Sequence, residues 1–357
     1  MQSHTPATQR FDAAALRGMA QAMFERAGMP SERAADVADI LVEGDLMGHD
    51  THGLQLLPTY LAEIESGGMA VKEDYAVLSN RPAVATWDGK RLPGPWLTLR
   101  AMESAMARAR DYGTGTVTIR RAHHIACLAA YLERATQAGF VMLLFSSAPA
   151  AATVAPFGGT RPVFSPSPLA VGFPTPEGPV LIDVSTSITT NGLTGRLYKE
   201  GKRLPHPWLI DEHGNPSDDP AVLFPPHAGS ILPLGGLDAG HKGFALSLMV
   251  EALTAGLSGH GRDDPGRRWG NTVFLQILDP AAFAGEEAFA GQMGWVARAC
   301  AENPPRPGVD RVRLPGQRAL ERKARQLRDG VALNPAILPQ LAPWLEKFGM
   351  PAPSPLP

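Results

Sequence analysis

The strongest constraint on the fold is a change of pattern along the chain. Over residues 11–68 apolar side chains recur at helical spacing. FDAAALRGMAQAMFERAG places Phe11, Leu16, Met19 and Met23 near one face and stops at Gly28. Pro30 and Ser31 open a second helix, with Ser31 as the expected N-cap and Val37, Ile40 and Leu41 as its buried stripe. A third stretch carries Leu57, Leu61 and Ile64 and ends at Gly67-Gly68. The pattern then changes. AVATWDG reads as a strand, 96–112 as a helix, TVTIR as a strand, HHIACLAAYLERATQAG as a helix and VMLLF as an apolar run. That alternation suggests an α/β layer. From 146 to 240 Pro, Gly, Ser and Thr dominate, broken by the β-like runs LAVGFP, PVLIDV and ILPLGG. Loop-rich β regions of this kind often hold binding residues. KGFALSLMVEALTAGLSG then reads as a helix beginning near Lys242, followed by the strand TVFLQILD and a helix around 283–302.

Composition excludes several classes. The chain has 357 residues, 44% of them hydrophobic, enough for a sizeable core. A formal charge of -2 implies no nucleic-acid partner. Lys and Arg gather in RVRLPGQRALERKARQLRDG, but Glu321 and Asp329 share that run, which fits a solvated helix face. Cys127 and Cys300 show no CxxC spacing and no disulfide framework, so a reducing compartment, the cytoplasm, is expected. The start MQSHTPATQRFD lacks a basic segment followed by an apolar one, and no apolar run approaches the ~20 residues of a membrane span. The Pro-rich tail is expected to be disordered.

Four clusters carry possible chemistry. In GHDTHG, helical spacing would bring Asp45, His49 and His52 to one face. That reading allows a metal-dependent hydrolase or lyase, although HExxH and a Cys pair are absent. The same residues suit proton transfer, because histidine titrates near neutrality, or a plain helix terminus. His123-His124 follows a strand, beside Arg120 and Arg121, which suit an anionic substrate or an ordinary surface. In PLGGLDAGHKGFAL, a glycine-rich turn feeds a helix near Lys242, a setting that can approach phosphates. It matches neither the P-loop nor GxGxxG between a strand and a helix. In LIDVSTS, Asp183 ends an apolar strand and hydroxyls follow it, which suits polar ligand recognition or a local turn.

Taken together and in order, GHDTHGLQLLPTYLAEIESGG, RRAHHIACLAAYL, VAPFGG, LIDVSTS, LPLGGLDAGHKGFAL and RLPGQR resemble the type-2 malate/L-lactate dehydrogenase family of NAD(P)-dependent oxidoreductases. The resemblance runs from the first helix to about residue 330. It implies an α/β (α+β) fold: a discontinuous, non-Rossmann NAD(P)-binding domain on a largely antiparallel sheet, beside a helical domain from both chain ends. The expected division is 1–80, 81–120, 121–300 and 301–350, with a tail at 351–357. It further implies a homodimer, a 2-hydroxy/2-oxo acid substrate, NAD or NADP as cofactor and no resident metal.

Carried over residue by residue, the resemblance makes His52 the proton donor or acceptor and His124 the second catalytic candidate, with Asp183 beside them. Thr51, Tyr60 and Arg121 are assigned to the substrate. Ala148, Pro156, Ser167, Asp183, Val184, Ser185, Thr186, Ser187, His241, Lys242, Pro315, Gly316 and Gln317 are assigned to the cofactor. The chain departs from the family at Leu56, four residues after His52, where an arginine grips the substrate carboxylate. Arg121 is the expected substitute. Ser165-Pro166-Ser167-Pro168 stands for a G-T-N-P motif, and Ile125-Ala126 follows His124 in place of Phe-Gly.

Overall fold

The structure is a computed structural model that describes residues 9–264, 266 and 268–356. Residues 1–8 of the segment read for a leader, and the last residue of the tail, lie outside the described residues. Ten α-helices occur among the described residues: α1 (Ala13–Arg26), α2 (Ser31–Met47), α3 (Leu57–Glu65), α4 (Gly94–Tyr112), α5 (Ala129–Gln137), α6 (Asn191–Lys199), α7 (Gly236–Glu251), α8 (Glu286–Ala301), α9 (Gln317–Asp329) and α10 (Ile337–Phe348).

The central element is a seven-stranded sheet. Its spatial order is Ala76–Asn80, Val84–Asp88, Thr114–Ala122, Asn271–Leu278, Val141–Ser147, Leu169–Phe173 and Val180–Val184. Only Val84–Asp88 and Thr114–Ala122 run parallel, joined by α4 as a crossover; the other neighbours are antiparallel. Asn271–Leu278 lies in the middle although it comes late in the chain. Val273, Leu275 and Ile277 are fully buried on one face and Phe274 is buried on the other, which fits a strand covered on both faces.

Helices from the two chain ends pack together. Leu16, Met23, Ile40 and Leu41 are fully buried between α1 and α2, each contributing about 1.5–3 kcal/mol of burial. Leu341 and Leu345 of α10 join the same core. The α9 run is less solvated than its charge suggests. Lys323 bridges Glu43 and Glu133 at 2.5 Å each, and the buried Gln326 donates to the carbonyls of Asp45 and Leu46, 2.8 and 2.9 Å away. Those carbonyls belong to the last turn of α2, which has no i+4 donor of its own to satisfy them. The tail has no regular element, yet the Leu356 N–H donates to the Arg10 carbonyl at 2.7 Å.

Three local expectations are corrected. Ser31 lies inside the first turn of α2; Pro30 is the cap residue, and the Ser31 hydroxyl instead donates to Glu25. HHIACL is irregular, because α5 begins only at Ala129. The glycine-rich turn starts α7 at Gly236, so Lys242 sits in the second turn, away from the helix terminus.

Candidate active site

The geometry begins at the end of α2. Gly48 closes that helix at φ 89°, a conformation open to glycine, and the chain leaves the helical path before His49. Asp50–His52 then form a short 3-10 turn. The helical face expected to unite Asp45, His49 and His52 therefore does not form. The Asp45 carboxylate turns inward and accepts the Leu54 N–H at 2.7 Å. Burial pushes its pKa up to about 8, against the stabilising effect of that hydrogen bond.

His52 and His124 face each other across one cavity of about 410 Å³, with ring centroids 5.8 Å apart. The 123–128 stretch between the Thr114–Ala122 strand and α5 places His124 there. Its ring stacks on Trp269 at 5.2 Å. Tyr60, fully buried on α3, sets its hydroxyl 2.8 Å from His124 Nδ1 and 3.0 Å from the His124 carbonyl. The Ala126 N–H donates to the same Nδ1 at 3.2 Å. A backbone N–H can only donate, so Nδ1 is an acceptor and the proton of neutral His124 resides on Nε2.

Burial, then the neighbouring His52 and His123, hold His124 well below the ordinary histidine pKa. Burial also lowers His52, with a smaller contribution from His49, while Asp183 works in the opposite direction. His52 is thus a neutral base near neutrality whose cationic form has a carboxylate to stabilise it. Its Nδ1 lies 2.9 Å from the Thr51 hydroxyl. Asp183, near the end of the outer strand, accepts the Ala129 N–H at 2.8 Å and is 3.9 Å from the Cys127 thiol. His123 is walled off: it lies 3.2 Å from Glu63, and burial and Arg91 push its pKa down to about 3.

The structure brings seven of the assigned residues to this cavity: Thr51, His52, His124, Ala148, Ser167, Asp183 and Ser185. Leu56 lines it too. Asp183 also faces an adjoining groove of about 560 Å³, shared with His49, Val184, Pro315, Gly316, Arg318 and Arg322. Gly316, at φ 88°, presses on the outer strand: a Cβ there would come within 2.7 Å of the Leu181 Cβ.

Other assigned residues lie elsewhere. Arg121 does not replace the missing arginine. It donates to Asp88 through Nε at 2.9 Å, and through Nη2, and lines a separate basic cleft with Lys90, Arg91 and Arg120. Thr186 and Ser187 are buried behind the wall, bonded to Pro166 and Thr189 carbonyls. His241 and Lys242 are exposed on α7, where His241 packs edge-on against Phe157. Pro156 precedes that phenylalanine, and the Gln317 side chain accepts the Leu314 N–H at 2.9 Å. None of these last four lines the cavity or the groove.

Sequence reasoning missed Trp269, Asn271, Cys127, Ser146 and the start of α6, all on the cavity wall. Trp269 and Asn271 directly precede the TVFLQILD strand, and only that strand's central place in the sheet carries them beneath His124. His49, Cys127 and Asp183 each offer a ligand atom within 4.8 Å of the others, so the trio able to hold a metal differs from the one the spacing suggested.

Comparisons with known proteins identify the family. The profile of the malate/L-lactate dehydrogenase family matches residues 11–342. An L-lactate dehydrogenase of Cupriavidus necator is 33% identical over 328 residues, covering 90% of this chain and 93% of that protein. Hydroxycarboxylate dehydrogenase B of Escherichia coli is 30% identical, covering 96% of this chain and 95% of that protein. The crystal structure of malate dehydrogenase from Entamoeba histolytica superposes with a TM-score of 0.91 at 25% identity, covering 98% and 100% of the two chains. The chain belongs to the malate/L-lactate dehydrogenase family and is an oxidoreductase acting on 2-hydroxy acids.

Proposed function

We propose that the protein is an NAD(P)-dependent dehydrogenase acting at C2 of a 2-hydroxy/2-oxo acid, with His52 as the proton donor and acceptor. The observation that carries this reading is the convergence of His52, His124 and Asp183 on one cavity. When bound, the nicotinamide supplies the acceptor or donor of the hydride. The chain's own residues do the rest. Neutral His52 takes the hydroxyl proton in oxidation and returns it in reduction. Asp183 stabilises the imidazolium formed in between. Acid/base catalysis of this kind is worth roughly 10²–10⁴-fold. His124, locked by Tyr60 and Ala126, offers its Nε2–H to the substrate oxygen, where charge develops.

The adjoining groove suits a dinucleotide. Arg318 and Arg322 provide cations for phosphates, and Gly316, packed on Leu181, lets their loop lie against the outer strand. Ala148, Ser167 and Ser185 line the side nearer the reacting atoms. This arrangement needs no Gly-rich βαβ turn and fits an antiparallel sheet. The same reading makes the protein a homodimer. Exposed Leu237, Leu248 and Met249 on α7 support it, since apolar residues left on one helix surface favour association. Fluorescence titration with NADH and NADPH, followed by a panel of 2-oxo acids, tests the proposal. Saturable binding of one dinucleotide and turnover of at least one acid are expected. Absence of both overturns it.

A further inference from the structure

The charge inventory of the His52 cavity points to a substrate class. Among the described residues lining it there is no lysine or arginine. Asp183 supplies the only carboxylate on that wall. Three nearby arginines are engaged on other surfaces. Arg262 is held on Glu251 at 2.7 Å behind the wall, Arg121 is held on Asp88, and Arg322 faces the adjoining groove, 3.3 Å from Asp50. Apolar groups fill much of the lining: Leu56, Ile125, Leu128, Pro166, Pro168 and Trp269.

Uncharged donors are present for one anionic group. Asn191 and Gly192, at the N-terminus of the nine-residue α6, face the cavity, and first-turn N–H groups have no partner within their own helix. The buried Ser146 hydroxyl, on the same lining, has no hydrogen-bond partner. One carboxylate can be seated by such groups. A second meets no cation among the described lining residues and a carboxylate that repels it, and an unpaired charge in a partly buried site is strongly disfavoured.

We infer that the enzyme selects monoanionic 2-hydroxy/2-oxo acids with an apolar side chain over dianionic ones, and that Leu56 is the residue that sets this choice. The inference rests on the dehydrogenase reading above. Leu56 borders the cavity four residues after His52, at the end of the next short 3-10 turn, Leu54–Leu56, and packs partly against the core. In place of the arginine that the resemblance assigns to the substrate carboxylate it offers an apolar surface, so that carboxylate rests on the uncharged donors and no cation among the described lining residues balances a second one.

The test compares kcat/KM for 3-methyl-2-oxobutanoate with that for oxaloacetate, and measures binding of oxamate (a monoanion) and hydroxymalonate (a dianion) by tryptophan fluorescence with reduced cofactor present. The monoanions are expected to win by about 100-fold in both readouts. L56R should raise kcat/KM for oxaloacetate at least tenfold more than for the branched substrate. Equal or better use of oxaloacetate by the unaltered enzyme, or hydroxymalonate bound as tightly as oxamate, overturns the inference whether or not L56R folds. Failure to bind either dinucleotide or to turn over either acid removes the dehydrogenase reading itself, a different result from a wrong preference.

Discussion

Asp183→Asn is the most informative change at the site. The amide keeps an oxygen to accept the Ala129 N–H, now at 2.8 Å, so the strand end and the start of α5 stay joined. What it removes is the charge that opposes the effect of burial on His52. An opposite charge within about 4–6 Å typically moves a pKa by 1–3 units. The sign follows from the role. Oxidation needs neutral His52, so the acid limb of kcat/KM reports the protonation of that base. Losing the carboxylate makes the imidazolium less stable, its pKa falls, and the limb moves to lower pH. The same loss deprives the proton-accepting step of charge stabilisation, so the plateau rate falls at least tenfold. Initial rates of hydroxy-acid oxidation across about pH 4–8, with dinucleotide affinity as the control, measure both effects. A limb that stays put or moves to higher pH refutes the pairing of Asp183 with His52.

Two further predictions concern the scaffold around the histidines. Asp45, held at a pKa of about 8 in the fold and near 3.8 when free, keeps a proton between those pH values that the unfolded chain has lost. Folding stability therefore falls as pH rises from about 4 to 8, by at most about 6 kcal/mol. D45N should abolish this slope, gaining melting temperature on the native protein from pH 5 to pH 8.5; a constant difference contradicts the buried neutral acid. Tyr60→Phe removes the hydroxyl that serves both His124 Nδ1 and its carbonyl. It should cost about 1–3 kcal/mol in denaturant unfolding and lower kcat more than it weakens cofactor binding; unchanged stability and kcat would show that the tyrosine does not hold His124.

Much of this was legible in the residues, for reasons that differ from place to place. The paired apolar stripes of α1 and α2 announce themselves because helical periodicity is local. His52, His124 and Asp183 stand out because each lies in a compact motif, and the order of the motifs carries the resemblance. Local patterning misjudged the turn after Met47, where Gly48 ends the helix and separates Asp45 from the histidines. It also misjudged Arg121, whose guanidinium is claimed by Asp88, a residue on the neighbouring strand. Trp269, Asn271 and Ser146 were invisible because they meet the histidines only through the placement of Asn271–Leu278 between two earlier strands. That placement comes from pairing over more than a hundred residues, which no short window records.

The central claim is that His52 moves the proton in a nicotinamide-dependent reaction. Its most direct test is a single-turnover measurement following reduced-nicotinamide absorbance after mixing with a 2-oxo acid, in the unaltered enzyme and in His52→Asn. The account predicts a transient slowed by roughly 10²–10⁴-fold in the variant, with the dinucleotide dissociation constant unchanged. Equal transients in the two proteins would contradict it.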